Sequence, residues 1–525
     1  MTTGRTKGDV LIGIDAGTSV LKAVAFTLDG RQLDSYSIPN HYETLANGGV
    51  EQDMARTWAD CATCLRGLGQ KLPGLAARTA AIAVTGQGDG TWLIDRDGKP
   101  VGHGWLWLDA RTGPMVDDMR ASPAGRRHFE ISGCGLNACQ QGPHLAWMQQ
   151  HTPEVLERAS TGFHCKDWLY FNLTGARATD PSEALFTFGD YRTRRYSDEV
   201  IDDLGLTRQR HLIAPIVDGI AQQHVLSIDA AAASGLSAGT PVVLGYVDVM
   251  CTALGAGLYD PPTDCGCTIV GSTGMQIRFV GSAAQVQLNK HATGYTMAFP
   301  VPGQYAQMQT NMASTLNIDW LLDLARGVLG DAGVTRSRKD MLASADALVT
   351  AAKPADLLYH PYISEAGERG PFVDPAARAS FIGLSTRHKY ADMLRAVYEG
   401  LAYAGRDCYG AMGGVPAEVR LSGGAARSVA LRGIIAAVLC ASVRTSSREE
   451  SGAAGAAMIA AVGCGHYKTM SDCVSVWVRP FLGTLEAPDP GLAKLYDSAF
   501  PAYAASREAL TPIWRAMARR KAGLS

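Results

Sequence analysis

Residues 12–22, IGIDAGTSVLK, place a carboxylate, a glycine, two hydroxyls and a cation close together. Such a combination suits a nucleotide phosphate and its metal ion. The flanking apolar runs predict a buried strand over residues 10–14 and a returning strand over residues 20–28. Residues 15–19 then form a hairpin tip, where outward N–H groups and Gly17 permit a phosphate to approach the backbone. An ordinary hairpin turn is the alternative interpretation of this segment.

A second segment of the same character occupies residues 267–274, CTIVGSTG. It again runs from an apolar strand into a tip of Gly, Ser and Thr, as the duplication of one phosphate-binding domain would leave behind. Two such tips facing each other across a cleft would hold a triphosphate from both sides. Taken alone, GSTG is equally typical of a turn.

A further carboxylate, Asp248, lies in residues 244–257, LGYVDVMCTALGAG, where a strand ends and a helix of small residues begins. The N-terminus of a helix is a favourable place for a negative charge. In phosphoryl transfer a carboxylate can accept the proton of the attacking hydroxyl. The alternative is that Asp248 only stabilises the helix.

Apolar runs alternate with helical patterns from residue 10 to about residue 254, which predicts an α/β domain. Residues 80–84 and 241–244 are clear strands, and residues 58–68 are a clear helix. The chain has 525 residues, more than one core usually accommodates. The Pro-containing link at residues 259–263 therefore marks the expected domain boundary, and a second α/β domain follows it.

Composition excludes several classes of protein. Hydrophobic residues make up 46% of the chain and charged residues 19%, ordinary values for folded domains. The formal net charge of −2 and the scattered basic residues predict no nucleic-acid partner. No apolar stretch suits a signal peptide or a membrane span, so we expect a cytoplasmic protein without a membrane partner. The 12 cysteines form no metal-like array and are interpreted as buried apolar residues.

Further motifs connect these segments. They are FHCKDWL (residues 163–169), TDPSEA (179–184), HPYISEAGERGP (360–371), RAVYEG (395–400) and LSGGAARS (421–428). In this order, and together with the segments above, they resemble the FGGY family of carbohydrate kinases within the actin and hexokinase superfamily. The resemblance runs from about residue 10 to about residue 465.

The resemblance implies an α/β fold of two actin-like, ribonuclease H-like lobes with an ATP and substrate cleft between them. We expect the first domain to span residues 1–258 and the second residues 259–525, with the last helix able to pack back on the first lobe. The implied partner is a small polyol or sugar substrate, and the resemblance is compatible with a homodimer.

The family also implies roles for individual residues. Asp248 is the expected catalytic base, and Asp15, the second catalytic carboxylate, is expected to hold Mg²⁺ directly or through water. The resemblance assigns the phosphates of ATP to Gly17, Thr18, Ser19, Lys22, Gly271, Ser272 and Thr273, and the adenosine to Gly423, Gly424 and Ser428. Many relatives carry Asn where this chain has Ser428. A helix of small residues from about residue 450 is expected beneath the nucleotide, and close packing unrelated to a ligand is the alternative.

The substrate is expected at two segments that resemble the family's sugar-facing motifs. In GQGDGTW (residues 86–92), Gln87 and Asp89 would bind hydroxyls. In WLWLDAR (residues 105–111), Trp107 would cover the carbon face of a polyol while Asp109 orients its hydroxyls. The alternative is that both tryptophans fill the core and Asp109 forms an ion pair with the following arginine.

GQGDGTW and GYVDVMCTALGAG most resemble the branch of the family that phosphorylates a terminal hydroxyl of erythritol, giving erythritol 4-phosphate for carbohydrate catabolism. Kinases of L-xylulose or of another pentulose or pentitol are the alternative. A non-catalytic regulator that binds a nucleotide and a polyol is a further one, since fold alone does not establish activity. An actin-like filament or chaperone ATPase would not require the sugar-facing segments.

Overall fold

Two six-stranded mixed sheets, one in each half of the chain, frame the structure, a computed structural model that describes residues 8–521 and 523. The strands of the first half are β1 (Val10–Ala16), β2 (Val20–Thr27), β3 (Gln32–Pro39), β4 (Glu43–Thr44), β5 (Val50–Gln52), β6 (Thr79–Gly86), β7 (Trp92–Ile94), β8 (Gly104–Trp105), β9 (Thr161–Phe163), β10 (Gly189–Asp190), β11 (Arg195–Tyr196), β12 (His224–Val225) and β13 (Pro241–Leu244). Its helices are α1 (Met54–Lys71), α2 (Leu75–Arg78), α3 (Gly113–Ala121), α4 (Pro123–Ser132), α5 (Gln141–His151), α6 (Pro153–Arg158), α7 (Cys165–Thr174), α8 (Pro181–Phe188), α9 (Asp198–Asp203), α10 (Ile228–Ser234) and α11 (Asp248–Ala256).

The second half repeats the alternation of strands and helices. Its strands are β14 (Cys265–Val270), β15 (Gly274–Val280), β16 (Tyr295–Ala298), β17 (Tyr305–Asn311), β18 (Leu358–His360), β19 (Ser380–Ile382), β20 (Glu418–Ser422) and β21 (Ser442–Thr445). Its helices are α12 (Thr315–Asp331), α13 (Arg338–Ala351), α14 (Tyr390–Gly410), α15 (Val429–Leu439), α16 (Ser451–Gly463), α17 (Met470–Trp477) and α18 (Pro490–Lys521).

Five strands of each large sheet follow the same topology, and the sixth strand, β12 or β16, lies at opposite ends of the two sheets. In the first, β1, β2 and β3 form an antiparallel meander, and β6 and β13 extend it beyond β1 as parallel strands. In the second, β14, β15 and β17 form the same meander, and β20 and β21 are its parallel extension. The repetition indicated by the two tips thus extends to the order of the strands, and the predicted two-lobed α/β fold is present.

Helix α16 crosses from the second half of the chain onto the first lobe. It consists almost entirely of small residues and packs against α11, β1 and β6. Gly13 of β1 and Gly455 of α16 lie where a Cβ atom would overlap the backbone of Ala453 and Cys251 respectively. Because these backbones touch, α16 fixes the end of β1 relative to the start of α11.

The last helix departs from the prediction. Among the described residues, helix α18 packs mainly against α14, α15 and β18 of the second lobe. Its buried side chains find partners there: Tyr503 hydrogen-bonds the hydroxyl of Tyr362, and Trp514 packs edge-on against the same ring. Helix α16 returns to the first lobe instead, and its small side chains fit the narrow space beside β1. Helix α17 follows it there, where Trp477 packs on Phe26 and donates to the carbonyl of Leu28 over 3.0 Å.

The strands and the helix that the sequence marks most clearly are present as β6, β13 and α1. The cysteines are free thiols, and most of them are buried. Across residues 8–521 and 523, no helix is both long and apolar enough to cross a membrane.

Candidate active site

Asp15 lies at the cleft end of β1, where it pairs in register with Lys22 of β2 and Thr85 of β6. The strand continues through Ala16, so the hairpin tip comprises residues 17–19. Asp15 therefore belongs to the strand, whereas the sequence predicted it in the tip. The side-chain amide of Asn40 donates to the carbonyl of Gly17 over 2.6 Å and holds the tip.

Asp248 is the first residue of α11, as predicted. The residue before it is held by a hydrogen bond to α8. The backbone N–H of Val247 donates to the hydroxyl of Ser182 over 3.0 Å. Burial raises the pKa of Asp248 to about 7, and the charge of Asp15 adds to the rise. Burial likewise raises the pKa of Asp15 to about 6, where the charge of Glu450 adds to the rise and that of Lys22 opposes it. The two carboxyls therefore share one region of negative potential.

The start of α16 touches Asp15. A Cβ atom on Gly452 would stand 2.5 Å from Oδ2 of Asp15 and 3.2 Å from the hydroxyl of Thr252. The small-residue helix thus leaves space for the carboxylate of Asp15. Its position beneath the nucleotide stays a prediction, since the tight packing of α16 on α11, β1 and β6 also fits the alternative.

Replacing Gly452 with Ala is expected to displace the carboxylate of Asp15 and lower kcat/KM for ATP about tenfold, because small shifts of a positioned group are costly in transfer reactions. Steady-state kinetics at several Mg²⁺ concentrations measure this. The matched control is Gly433→Ala in α15, since no atom lies within 4 Å of its added Cβ. Wild-type kinetics for Gly452→Ala would contradict the assigned contact.

The other residues of the first half that are assigned to the phosphates, Thr18, Ser19 and Lys22, differ in their surroundings. Lys22 Nζ lies 2.6 Å from a carboxylate oxygen of Glu450 in the second half. Thr18 accepts a hydrogen bond from the indole N–H of Trp107 over 2.7 Å, and its hydroxyl lies 3.3 Å from Oε1 of Gln87. Thr18 therefore joins the tip to the predicted substrate residues, while Ser19 is exposed to solvent.

A cavity of about 140 Å³ lies beside Asp248. The first half lines it with Thr18, Gln87, Gly88, Asp89, Trp107, Phe186, Val247, Asp248 and Val249. The second half lines it with Met275, Tyr295, Met308, Thr310 and Arg369. The structure thus brings Gln87, Asp89 and Trp107 to one cavity with Asp248, and it adds residues that sequence reasoning missed. Those added residues lie far along the chain and carry no local motif for a sugar, although Arg369 belongs to the quoted motif at residues 360–371.

Asp89 has one carboxyl oxygen that meets no hydrogen-bond donor within residues 8–521. The residue has a left-handed φ of 55°, and its backbone N–H donates to Glu183 over 3.3 Å. Its Oδ2 accepts from the hydroxyl of Tyr295 over 3.1 Å, whereas Oδ1 is buried without a hydrogen bond among the described residues. Burial raises the pKa of Asp89, and the Tyr295 hydrogen bond opposes the rise. A buried oxygen of this kind is a ready acceptor for a substrate hydroxyl.

Asp109 does not line this cavity, in contrast to the prediction. Its Oδ2 accepts from the backbone N–H of Val50 over 2.9 Å and pairs with Arg111 over 2.6 Å. The guanidinium of Arg111 in turn lies 3.4 Å above the ring of Trp105. The structure therefore shows the alternative for Asp109 and Trp105, an ion pair and a core aromatic, because both groups are occupied by protein partners. Trp107 alone of the two tryptophans reaches the cavity.

A second cavity, of about 650 Å³, opens in the second lobe. The predicted residues Gly271, Gly424 and Ser428 line it. Gly423 precedes it with a φ of 91°, and a Cβ atom there would stand 2.5 Å from the carbonyl oxygen of Val270. Ser428 caps α15 by accepting from the N–H of Leu431 and donates to Asp346, so its hydroxyl is already engaged. Ser272 and Thr273 are not among the lining residues.

A buried charge network lies below the substrate cavity. Lys166 Nζ is 2.7 Å from Asp167 and 2.6 Å from Asp180, and all three side chains are inaccessible to solvent. Burial opposes ionisation of Asp167, yet the charge of Lys166 and a hydrogen bond from His164 outweigh it and lower the pKa of Asp167 to about 2. Asp180 accepts from the N–H of Ser182. The motifs at residues 163–169 and 179–184 thus support the hydroxyl that holds Val247.

Known proteins resemble the chain over nearly its whole length. Residues 10–255 match the N-terminal domain, and residues 268–464 the C-terminal domain, of the FGGY family of carbohydrate kinases. The chain is 55% identical over 521 residues to the erythritol kinase of Brucella abortus (strain 2308), which covers 99% of this chain and 100% of that protein. It is 25% identical to the L-xylulose/3-keto-L-gulonate kinase of Escherichia coli (strain K12), over 94% of this chain and 95% of the relative. The gluconate kinase structure from Lactobacillus acidophilus superimposes with a TM-score of 0.86 and 22% identity, over 97% of this chain and 99% of that one, a likeness of fold.

Proposed function

The chain belongs to the FGGY family of carbohydrate kinases, and we propose that it transfers the γ-phosphoryl group of ATP to a terminal hydroxyl of erythritol, giving erythritol 4-phosphate. The observation that carries the proposal is the cavity where Asp248 stands beside Gln87, Asp89 and Trp107. Its small volume, and the few polar side chains set among apolar ones in its walls, suit a short polyol. The 55% identity to an erythritol kinase supports the choice of that polyol.

In the proposed reaction Asp248 accepts the proton of the terminal hydroxyl. The hydroxyl oxygen then forms a bond to the γ-phosphorus, the bond from that phosphorus to the bridging oxygen breaks, and ADP leaves with the electron pair. Most of the acceleration comes from positioning and charge neutralisation, while the base contributes a smaller part. Val247, fixed by Ser182, sets the position of the base.

Asp15 also fits a magnesium ion. Burial and the charge of Glu450 raise the pKa of its carboxyl, and a bound cation would oppose that rise. Among the described residues no cluster of three or more His, Cys, Asp or Glu could hold a metal by itself. Mg²⁺ is commonly held by one or two carboxylates with substrate phosphates and water. When bound, it neutralises charge on the transferring phosphoryl group.

The nucleotide is proposed to span the two tips. Gly17 and Ser19 of the first tip, Lys22 of β2, and residues 271–273 of the second tip would contact its phosphates. The adenosine would occupy the larger cavity beside Gly424. Closure of the lobes around both substrates would exclude water and limit hydrolysis of ATP.

The pH dependence of turnover follows from the state of Asp248. Only the ionised carboxylate accepts a proton, so kcat/KM for the polyol should fall about tenfold per pH unit below the pKa of Asp248. That pKa is about 7 in the protein alone, and the positive charge of bound Mg²⁺ shifts the inflection to lower pH. Initial rates from pH 5 to pH 9, with coupling enzymes in excess, measure it. A rate that rises as the pH is lowered would contradict this role.

A panel of acceptors tests the choice of substrate. ADP release is measured with erythritol, threitol, glycerol, xylitol, L-xylulose and D-xylulose at saturating Mg-ATP. We expect the largest kcat/KM with erythritol and little ADP without an acceptor. A preference for L-xylulose would favour the alternative that the relative at 25% identity supports only distantly. ADP release that no acceptor stimulates would refute the kinase assignment.

A further inference from the structure

The loop that carries Arg369 is fixed to the second lobe on both sides of that residue. The backbone N–H of Met312, directly after β17, donates to Oε1 of Glu368 over 2.9 Å. The carbonyl of Gly370 accepts from the amide of Asn311 over 2.8 Å, and a Cβ atom on Gly370 would stand 2.5 Å from the carbonyl oxygen of Thr310. Arg369 is thus presented to the substrate cavity from an anchored backbone.

The guanidinium of Arg369 has no hydrogen-bond partner in the part of the chain that the structure describes. It lines the cavity together with Asp89 and Tyr295, yet no hydrogen bond or ion pair of its side chain occurs among the described residues. Its Nε is buried and unsatisfied. A buried guanidinium nitrogen without an acceptor is costly, so such a group is expected to meet an acceptor when the site is filled.

Asp89 offers the complementary half of a binding pair. Its Oδ1 is buried with no donor among the described residues, while Oδ2 already accepts from the hydroxyl of Tyr295. The charge of Arg369 acts on Asp89 and opposes the rise in the pKa of that carboxyl, so the two groups are within electrostatic reach. Among the described residues, the guanidinium of Arg369 is thus a donor of the second lobe that lacks an acceptor. Oδ1 of Asp89 is an acceptor of the first lobe that lacks a donor.

We propose that one hydroxyl of the polyol, other than the one that is phosphorylated, accepts a hydrogen bond from Arg369 and donates one to Asp89. A hydroxyl can do both at once because it carries one donor and two acceptor lone pairs. The inference rests on the proposed function and goes beyond it. It makes Arg369 a substrate-binding residue, and it makes the substrate a bridge between the two lobes.

Two deoxygenated substrates test the pairing in a double-mutant cycle. Butane-1,2,3-triol lacks one terminal hydroxyl of erythritol, and butane-1,2,4-triol lacks one internal hydroxyl. Both are compared with erythritol in the wild-type enzyme and in Arg369→Met. A hydrogen bond to a charged group predicts a loss of kcat/KM of about 10- to 100-fold for Arg369→Met with erythritol. In Arg369→Met, kcat/KM with at least one of the triols should then be less than about threefold below kcat/KM with erythritol.

The controls separate this inference from the proposed function. Arg31→Met removes an exposed arginine of the first half and should leave all three substrates unaffected. KM for ATP should not change in Arg369→Met, and Arg369→Lys carries the same cycle if the Met variant is not recovered folded. If the loss of kcat/KM from Arg369→Met and the loss from removing a hydroxyl multiply for both triols, the pairing is wrong. The kinase assignment is unaffected by that result. Failure of the wild-type enzyme to phosphorylate erythritol overturns the proposed function itself.

Discussion

Asp248→Asn is expected to lower kcat by about 10²- to 10⁴-fold while leaving nucleotide affinity unchanged, because it removes the proton acceptor and little else. Asparagine has nearly the same shape, and the hydrogen bond from Val247 to Ser182 does not involve the Asp248 side chain. Turnover with Mg-ATP and erythritol is measured beside ADP affinity by calorimetry. Asp229→Asn, a carboxylate in the first turn of α10, is the matched control. Turnover within threefold of wild type would remove Asp248 from the role of base.

The same substitution should stabilise the folded protein at neutral and alkaline pH. The pKa of Asp248 is raised from its ordinary value of 3.8 to about 7 in the folded state. Between these values the folded state binds the proton more tightly than the unfolded state does, so stability is lost as the pH rises. The gain of Asp248→Asn should therefore grow from about pH 4 to about pH 7 and then remain constant, at roughly 1–2 kcal/mol after solvent screening. Urea unfolding at pH 5 and pH 8 measures this difference.

Lys166→Met is expected to lower the free energy of unfolding by about 3–5 kcal/mol, since it leaves carboxylates buried without a counter-charge. Asp167 and Asp180 both contact Lys166 and are inaccessible to solvent. Because Asp180 also holds Ser182, the loss should extend to the position of Asp248 and lower kcat. Thermal and urea unfolding of the purified variant give the measurement.

The comparison for this variant is Lys71→Met. Lys71 pairs with Asp34 over 3.2 Å at the surface, where 47% and 37% of the two side chains are exposed. Such surface pairs contribute about 0–1 kcal/mol. Equal losses in the two variants would show that the buried network contributes no more than an ordinary surface pair.

Local patterns in the sequence predict much of the fold. The apolar run before Asp15 and the short return from Val20 predict the first hairpin, and the two glycine-containing tips indicate the repeated topology. Asp248 at a junction of strand and helix is equally visible. These features depend on neighbouring residues, whose spacing determines strand, turn and helix.

Contacts between distant segments could not be predicted in the same way. Asp109 follows an aromatic segment that suits a sugar, yet Val50 and Arg111 already satisfy its carboxylate. Tyr295 and Arg369 join the cavity only through the approach of the second lobe. Helix α16, not the last helix, returns to the first lobe because its glycines let backbones touch. Such outcomes depend on tertiary packing, which no local pattern encodes.

Analysis of the products of one reaction tests the account most directly. The wild-type protein is incubated with Mg-ATP and erythritol, and the products are resolved by ³¹P and ¹³C nuclear magnetic resonance. We predict one equivalent of ADP for each erythritol monophosphate formed, with the phosphate on a terminal carbon. ADP with inorganic phosphate and unchanged erythritol, or no ADP at all, would contradict the account.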